Sequence, residues 1–290
     1  MSQSDASSKQ VATTPSSSSS CPTEMLFSKL KAVPESKSLD HLVRFLGSWT
    51  GSDKFFMLIQ YGSNVVVALL MALHALRQRR GKGFSVAHLI PRVRALNALT
   101  ADARILFRIW GLLPMLKWML SLAHHPPPSR NLRLIERLQA LSMVVYAPME
   151  AAAYLAMHKI LPISPASQNF LWLNGCRLWA AYVLLDFWHV VEDNRLLRTN
   201  AKALEKSRGH PSPHDSEKAL SEEQQTTRRM WSELRQRKDM LLSQFWVNVG
   251  YLPLTMHWSV EGGLITDGWV GVFGTIAAVA STRMQWKATA

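Results

Sequence analysis

The sequence is poor in cysteine, with only Cys21 and Cys176 among its 290 residues. They form neither a disulfide framework nor the paired spacing of a metal site, which is typical of a chain in a reducing environment. The chain also has no Asn-x-Ser/Thr glycosylation acceptor. Its first residues lack a charged start followed by an apolar segment, so we do not expect secretory entry.

The loops that bind nucleotides or hold a catalytic serine are missing too. Gly81-Lys82 has no glycine upstream at the Walker spacing, and neither Gly-x-Gly-x-x-Gly nor Gly-x-Ser-x-Gly occurs. His210 and Asp215 show the His-x4-Asp spacing of some acyltransferases, but a loop rich in Pro and Ser would not hold them rigidly. His189 and Glu192 share a helix face, which is too few ligands for a metal site. We therefore expect no enzymatic activity, no cofactor and no metal.

The chain is instead rich in apolar and basic residues. Hydrophobic residues make up 48%, including 11 Trp and 13 Met, although residues 1–24 form a polar tail that we expect to be disordered. The formal net charge is +13, and between His41 and Arg130 twelve Lys and Arg face only Asp53 and Asp102. Such an excess suits nucleic acid or membrane, but here it alternates with Leu, Met and Trp. This favours a surface of anionic lipid over nucleic acid.

The stretch Leu89–Leu122 shows the pattern of an amphipathic helix. Apolar residues recur at spacings of three and four, while Arg94, Arg104 and Arg108 recur on another side. This predicts a helix lying on a membrane, whose binding residues are Leu89, Arg92, Val93, Arg94, Leu96, Leu99, Arg104, Leu106, Phe107, Arg108, Trp110 and Leu113. The alternative is a helix of a soluble bundle with a solvated basic face.

A second helix is expected just upstream, because Thr50 followed by Asp53 resembles a capping box. Its uncharged run, Phe55–Leu76, exceeds the roughly 20 residues that cross a bilayer. A narrow polar strip at helical spacing runs along it, formed by Gln60, Asn64 and His74. Spanning and packing against protein therefore remain alternatives. Together these helices form a basic amphipathic module at residues 38–122.

Three prolines make residues 123–130 a stiff linker. An apolar helical hairpin is expected at 131–206, with Glu150, Arg177 and Asp186 inside its apolar runs. Charges there are costly in lipid unless they are paired, so a Glu150–Arg177 pair is one solution. The other is a bundle lying partly outside the membrane.

Residues 207–220 read as an exposed loop, and 221–290 as C-terminal helices that restart at a capping box of Ser221 and Gln224. The apolar runs Met240–Val260 and Gly268–Thr282 follow, the latter as a terminal membrane segment. Small residues four apart in this last run predict close helix approach, and we expect self-association through Gly271, Gly274 and Ala278. The fold class is all-α: a membrane-associated helical bundle with amphipathic interfacial helices and hydrophobic C-terminal helices that are candidates to cross the membrane.

The order of residues adds a resemblance. Thr50-Gly51-Ser52-Asp53-Lys54, then Leu58-Ile59-Gln60-Tyr61-Gly62, and later Ala103-Arg104-Ile105-Leu106-Phe107-Arg108 with Gly111, resemble the two signature helices of the peroxin-11 family of peroxisomal membrane proteins. The likeness covers about residues 38–122, and the remainder is similar only in general pattern. Ser52 replaces a basic residue, and Ile105 and Trp110 alter the second motif, which suggests a divergent, fungal-type branch.

The resemblance implies a protein of the peroxisomal membrane whose amphipathic helix bends and elongates the membrane before fission. It implies anionic lipids, further copies of the chain, a dynamin-related GTPase with its receptor, and the import receptor for peroxisomal membrane proteins as partners. Two other functions remain open. One is a small-solute channel lined by Glu150, Arg177 and Asp186, and the other is an adaptor that binds a partner through its cytosolic segments.

Overall fold

The computed structural model describes Thr23 and residues 36–80, 87–127, 129–208 and 222–290. Most of these residues are helical and none of them lies in a strand, which confirms the all-α class. The polar tail except Thr23, the predicted turn at Gly81–Gly83, residues 209–220 of the predicted loop with His210 and Asp215, and Ser221 of the predicted capping box lie outside the described residues. Val43–Ala290 forms one compact unit, separate from Met1–Leu42, and the contacts below belong to it.

Eight α-helices and one 3-10 turn cover the described ranges. They are α1 (Lys37–Gly47), α2 (Trp49–Arg79), α3 (Leu89–Arg108), the 3-10 turn Ile109–Gly111, α4 (Leu112–His124), α5 (Arg130–Met157), α6 (Pro165–Arg208), α7 (Glu222–Trp258) and α8 (Asp267–Ala288). Thus the predicted amphipathic helix is two helices joined by a 3-10 turn. Pro148 and Pro253 lie inside α5 and α7 without ending them.

The start of α2 differs from the expectation. Its cap is Ser48, which has extended backbone and whose Oγ accepts a hydrogen bond from the backbone N–H of Gly51 at 3.1 Å. Thr50 already lies in the first turn, because α1 ends at Gly47 and leaves only Ser48 between the two helices. The capping box of Thr50 and Asp53 was therefore wrong, and Asp53 is free to serve another partner.

The hydrophobic core lies where α2, α7 and α8 meet. Its buried members are Met57, Tyr61, Leu254, Val270, Ala277 and Ala278. Around this core, α3 packs on α2, while α6 packs between α5 and α7. Helix α2, near the start of the compact unit, therefore packs against α8 at its end. Helices α5 and α6 form an antiparallel pair beside them.

Small residues let α8 approach α2 closely. A Cβ at Gly271 would lie 2.8 Å from Asn64 Cβ, and one at Gly274 would overlap the root of the Tyr61 ring. Ala278 is fully buried. Gly271 and Gly274 therefore pack against α2 within the chain. Self-association through Gly271, Gly274 and Ala278 stays a prediction.

Among the described residues, three helical stretches are long and apolar enough to cross a membrane. They are α2, the 36-residue stretch Leu89–His124 and α5. The sequence offered Phe55–Leu76 in α2 as a candidate span as well as the hydrophobic C-terminal helices. Of the latter, α6 and α7 carry charged ends and the apolar face of α8 fills the core. The longest apolar surfaces instead belong to the first half of the chain.

Candidate functional site

The surface that α3 and α4 present away from the bundle is apolar. Leu99, Trp110 and Leu113 are 68%, 67% and 64% exposed. Leu89, Leu96, Leu106 and Phe107 are exposed as well, and Val93 is half-buried. We call this face the α3 apolar surface. Of the predicted basic residues, only Arg92 and Arg94, in the first two turns, are exposed beside it.

Arg104 lies on the opposite side and is buried between α2 and α3, with 6% of its surface exposed. Its Nε lies 2.9 Å from Asp53 Oδ1, and its Nη1 donates to Gln60 Oε1 at 2.6 Å. Lys54 is a second cation beside the same carboxylate, at 3.0 Å. The guanidinium therefore ties α3 to α2 through a bond to a charged partner and a bond to a neutral one.

Arg108 ties the next turn of α3 to α5. Its Nη1 lies 3.2 Å from Glu150 Oε1 and 3.3 Å from the Tyr146 hydroxyl, which itself donates to Glu150 at 2.6 Å. The carboxylate in the apolar run of α5 thus has Arg108 as its partner. The predicted pair of Glu150 with Arg177 was wrong, because Arg177 donates to the Ser259 carbonyl at 3.3 Å instead.

Two further groups of polar contacts lie along the same interface of α3 with α2 and α5, which we call the seam. Asn97 donates to Asn64, which with Gln60 places two members of the predicted polar strip of α2 against α3. His74, the third member, contacts Gln78 on its own helix. Lower on α3, Asp102 lies 2.9 Å from His158 Nε2 and accepts from the Tyr154 hydroxyl at 3.1 Å. Gln60 and Asn64 of the polar strip on α2 therefore pack against α3.

The orientation of α3 is thus the reverse of an interfacial helix that presents all its arginines to lipid head groups. The arginines at 104 and 108 face the bundle, and the leucines face outward. In a protein surrounded by lipid this orientation is favourable, because hydrocarbon accepts the leucines while buried carboxylates and amides pair with the guanidinium groups. The sequence predicted that Arg104 and Arg108 contact lipid head groups, whereas the structure pairs both with acids inside the bundle. Arg92 and Arg94 remain candidates for head-group contact.

The other charges of the apolar runs have separate partners. Asp186 is buried and accepts from the side-chain amides of Gln139, Gln244 and Asn248 at 2.9, 2.6 and 2.7 Å. Because Glu150 binds Arg108 and Arg177 binds the end of α7, the three residues of the predicted solute path do not face one another. The channel alternative therefore gains no support from these charges.

The histidine and acid on the second half of α6 also act within the bundle. His189 Nε2 lies 3.1 Å from Glu136 Oε1 on α5. Glu192 accepts from Ser129 and Asn131 at 3.3 Å, at the start of α5. The pair considered as metal ligands therefore fastens α6 to α5 instead.

Sequence reasoning missed the acidic partners of the seam, although a signal for them exists. Asp53 and Asp102 are the only acids among twelve basic residues, and Glu150 is isolated in an apolar run. An isolated acid in such a context predicts a basic or polar partner. The choice among several arginines depends on how the helices pack, which the sequence pattern does not contain.

Asp239 on α7 gives a prediction about pH. It binds Lys287 Nζ at 2.5 Å and Arg283 Nη2 at 3.0 Å, both on α8, and the hydrogen bond from Lys287 with these charges lowers the pKa of the carboxyl. A carboxyl with a lowered pKa in the folded state stabilises the fold above its unfolded pKa, and this contribution is lost as the pH falls through the folded value. We expect the melting temperature of the wild type to fall more steeply below about pH 4 than that of Asp239→Asn.

Melting curves in detergent between pH 6 and pH 3 measure this difference. Because these side chains are substantially exposed, the effect should be small, on the order of 1 kcal/mol or less. Glu233→Gln, an exposed acid on the same helix, is the matched control and should leave the acid limb of the curve as in the wild type. Identical acid limbs for wild type and Asp239→Asn would contradict the prediction.

Comparison with known proteins assigns the chain to a family. Residues 39–286 match the family described as Peroxisomal biogenesis factor 11 (PEX11). No curated protein and no solved structure matches the chain.

Proposed function

Because the chain belongs to the peroxisomal biogenesis factor 11 family, it is a peroxisomal membrane protein involved in peroxisome proliferation, and we propose that it acts by inserting the α3 apolar surface into the membrane. Insertion into one leaflet expands that leaflet and favours curvature. The family is one of biogenesis factors, and the proposed action needs no catalysis. Elongation of the membrane before fission is then its contribution to proliferation.

The observation that carries the proposal is the combination on α3 of exposed leucines on one face with Arg104 and Arg108 paired to acids of the bundle on another. An exposed apolar patch of this length marks a membrane or protein interaction site. Each large apolar side chain removed from water contributes about 1.5 to 3 kcal/mol. Arg92 and Arg94 stand at the start of this surface, where each would add about 1 kcal/mol near anionic head groups.

The buried ion pairs explain how the inserted helix would deform a bilayer. Arg104 holds α3 to α2, and Arg108 holds it to α5. A helix that is fixed to a bundle displaces the surrounding lipid because it cannot move away, whereas a loosely attached helix could tilt or leave the bilayer. The arginines of the signature motif thus serve the rigidity of the wedge rather than the contact with head groups.

Assembly and partners belong to the same proposal. One wedge displaces little lipid, so many copies must gather for elongation, and self-association is expected. The family relationship supports a dynamin-related GTPase with its receptor as the fission machinery that acts afterwards. It also supports delivery by the import receptor for peroxisomal membrane proteins.

The test is the shape of anionic vesicles that contain the full-length protein. The variant Leu99→Asp with Leu106→Asp places two charges on the α3 apolar surface and leaves the seam intact. Each substitution removes the free energy that one leucine contributes to insertion. We therefore expect the number of tubules in electron micrographs to fall by a factor of roughly ten or more.

Leu242→Asp with Met256→Asp is the matched control, because both residues are about half exposed and lie on α7. This variant should tubulate vesicles as the wild type does. Equal tubulation by the α3 variant and the wild type, at equal amounts of reconstituted protein, would refute the proposal.

A further inference from the structure

A cavity of about 490 Å³ borders Arg104 and Arg108, and it is lined by α2, α3, α5, α6, α7 and the residues that follow α7. Its volume is within the range of small-molecule sites, which is about 300 to 1,000 Å³. The walls that matter here are basic on one side and aromatic on the other, formed by Arg104, Arg108, Trp172, Trp179, Tyr251 and Trp258. The membrane-facing role of α3 makes no use of this space.

Arg108 has a donor that the protein leaves unused. Its Nη1 serves Glu150 and Tyr146, but its Nε is buried without a hydrogen-bond partner, the only side-chain nitrogen or oxygen of that kind among the described residues. A buried donor without an acceptor is costly, so native structures usually satisfy it. An acceptor atom of a bound molecule would do so.

His257 offers a second donor at the same cavity. Its Nδ1 accepts from the backbone N–H groups of Leu264 and Ile265 at 2.7 and 3.1 Å. A neutral imidazole that accepts at Nδ1 carries its proton at Nε2, so that nitrogen is a donor. Glu150 and Glu261, the acids of the lining, already accept from Arg108 and Asn169. The polar groups left over thus favour an oxyanion.

The aromatic wall is flat and apolar. Trp179 stacks on Trp258 with ring centroids 5.7 Å apart, and Tyr251 lies 5.2 Å from Trp179. Such a wall suits a hydrocarbon chain or a ring better than it suits water. Donors at one end and aromatic rings at the other match a molecule that has a charged head and an apolar body.

We propose that this cavity binds a small amphiphile with a single carboxylate or phosphate head, which accepts a hydrogen bond from Arg108 Nε while its apolar part lies along Trp179 and Trp258. This binding does not rest on the proposed membrane-shaping function. The head group could come from a free amphiphile or from a membrane lipid, and the two sources have the same chemistry at the arginine.

The tryptophans of the wall report occupancy, because bromine quenches their fluorescence. Full-length protein in phosphatidylcholine nanodiscs is titrated with 11-bromoundecanoate, and we expect a saturable quench above the linear background. The uncharged 11-bromoundecanol should give the background alone. Arg108→Gln should weaken the saturable part about tenfold or more, as expected for a lost charged hydrogen bond. Arg94→Gln, an exposed arginine on the same helix, should leave it unchanged.

A second arm identifies the source and guards against misfolding. Nanodiscs containing brominated phosphatidic acid, without free probe, should show an Arg108-dependent quench if the bilayer supplies the ligand. Cys176→Phe adds volume to the cavity lining, keeps both residues of the ion pair, and should also remove saturable binding. A saturable, Arg108-dependent quench in either arm supports the proposal. Its absence from both arms, or equal quenching of wild type and both variants, overturns it.

Discussion

Alanine in place of Arg104 is expected to lower the free energy of unfolding by about 3 kcal/mol. The reason is that Asp53 loses the cation whose Nε lies 2.9 Å away, while Gln60 loses its donor. Removing one partner of a buried pair leaves the other without compensation, and this costs more than the intact pair contributes. Lys54 stays beside Asp53 and the carboxylate is about a quarter exposed, which keeps the cost at the lower end of the range.

Thermal unfolding in detergent measures this loss. Arg94→Ala is the control, because Arg94 is an exposed arginine of the same helix with a weak 3.9 Å contact to Met71 Sδ and no acidic partner among the described ion pairs. The control should change stability by less than about 0.5 kcal/mol. In the double variant Asp53→Ala with Arg104→Ala, the two losses should not add, because the second substitution removes the group that the first left unpaired. Additive losses, or a melting point for Arg104→Ala equal to that of Arg94→Ala, would show that the pair does not fasten α3.

This prediction changes which charges a membrane-binding experiment should reverse. Arg104→Glu would place a second carboxylate against Asp53, and lost tubulation would then report a damaged fold. Arg92→Glu with Arg94→Glu reverses the exposed basic residues and keeps the ion pairs of Arg104 and Arg108, although it removes the 3.9 Å contact of Arg94 with Met71 Sδ. Only this pair separates attraction to head groups from the attachment of α3.

Alanine at Gly274 is expected to destabilise the fold by about 3 kcal/mol. The added Cβ would overlap Cγ and Cδ1 of Tyr61, the part of the ring nearest to the backbone, so rotation of the ring does not relieve it. Tyr61 is buried in the core between α2 and α8. The two helices must separate, and core contacts are lost along both of them.

Gly62→Ala is the matched control, because Gly62 is the neighbour of Tyr61 on α2 and no described atom lies within 4 Å of its added Cβ. In a helix interior this change should be neutral or stabilise by up to about 1 kcal/mol. Opposite shifts of the melting temperature for the two variants are the expected result. An unchanged melting temperature for Gly274→Ala would mean that α8 does not rest on Tyr61 as described.

The sequence predicted the positions of the helices better than it predicted which face of each helix packs against protein. The apolar period of Leu89–Leu122 correctly gave a helical stretch and the residues that share its faces, since these follow from 3.6 residues per turn. Periodicity does not say which face meets protein. That choice was made by Asp53 and Glu150, which are 51 and 42 residues away from their arginines, and by the amides of α2.

The small-residue stripe of α8 shows the same limit. Glycines four apart predicted close helix approach, and the close approach is present. The identity of the partner was not in the pattern, because a second copy and α2 both offer an apolar helix. Tyr61 and Asn64, which fill the space over Gly274 and Gly271, became partners only through the closure of the two ends of the chain.

The length of α6 determines how far its C-terminal end extends beyond a bilayer. With 44 residues it is about 66 Å long, roughly twice the hydrocarbon thickness of a bilayer. Because α6 packs along α5, a membrane that α5 crosses upright cannot contain all of α6. Its last turns, which carry Arg195, Arg198, Lys202, Lys206 and Arg208, then form a basic spacer about 20 Å long. This spacer holds Arg208, the last residue of α6, at a fixed distance from the lipid surface.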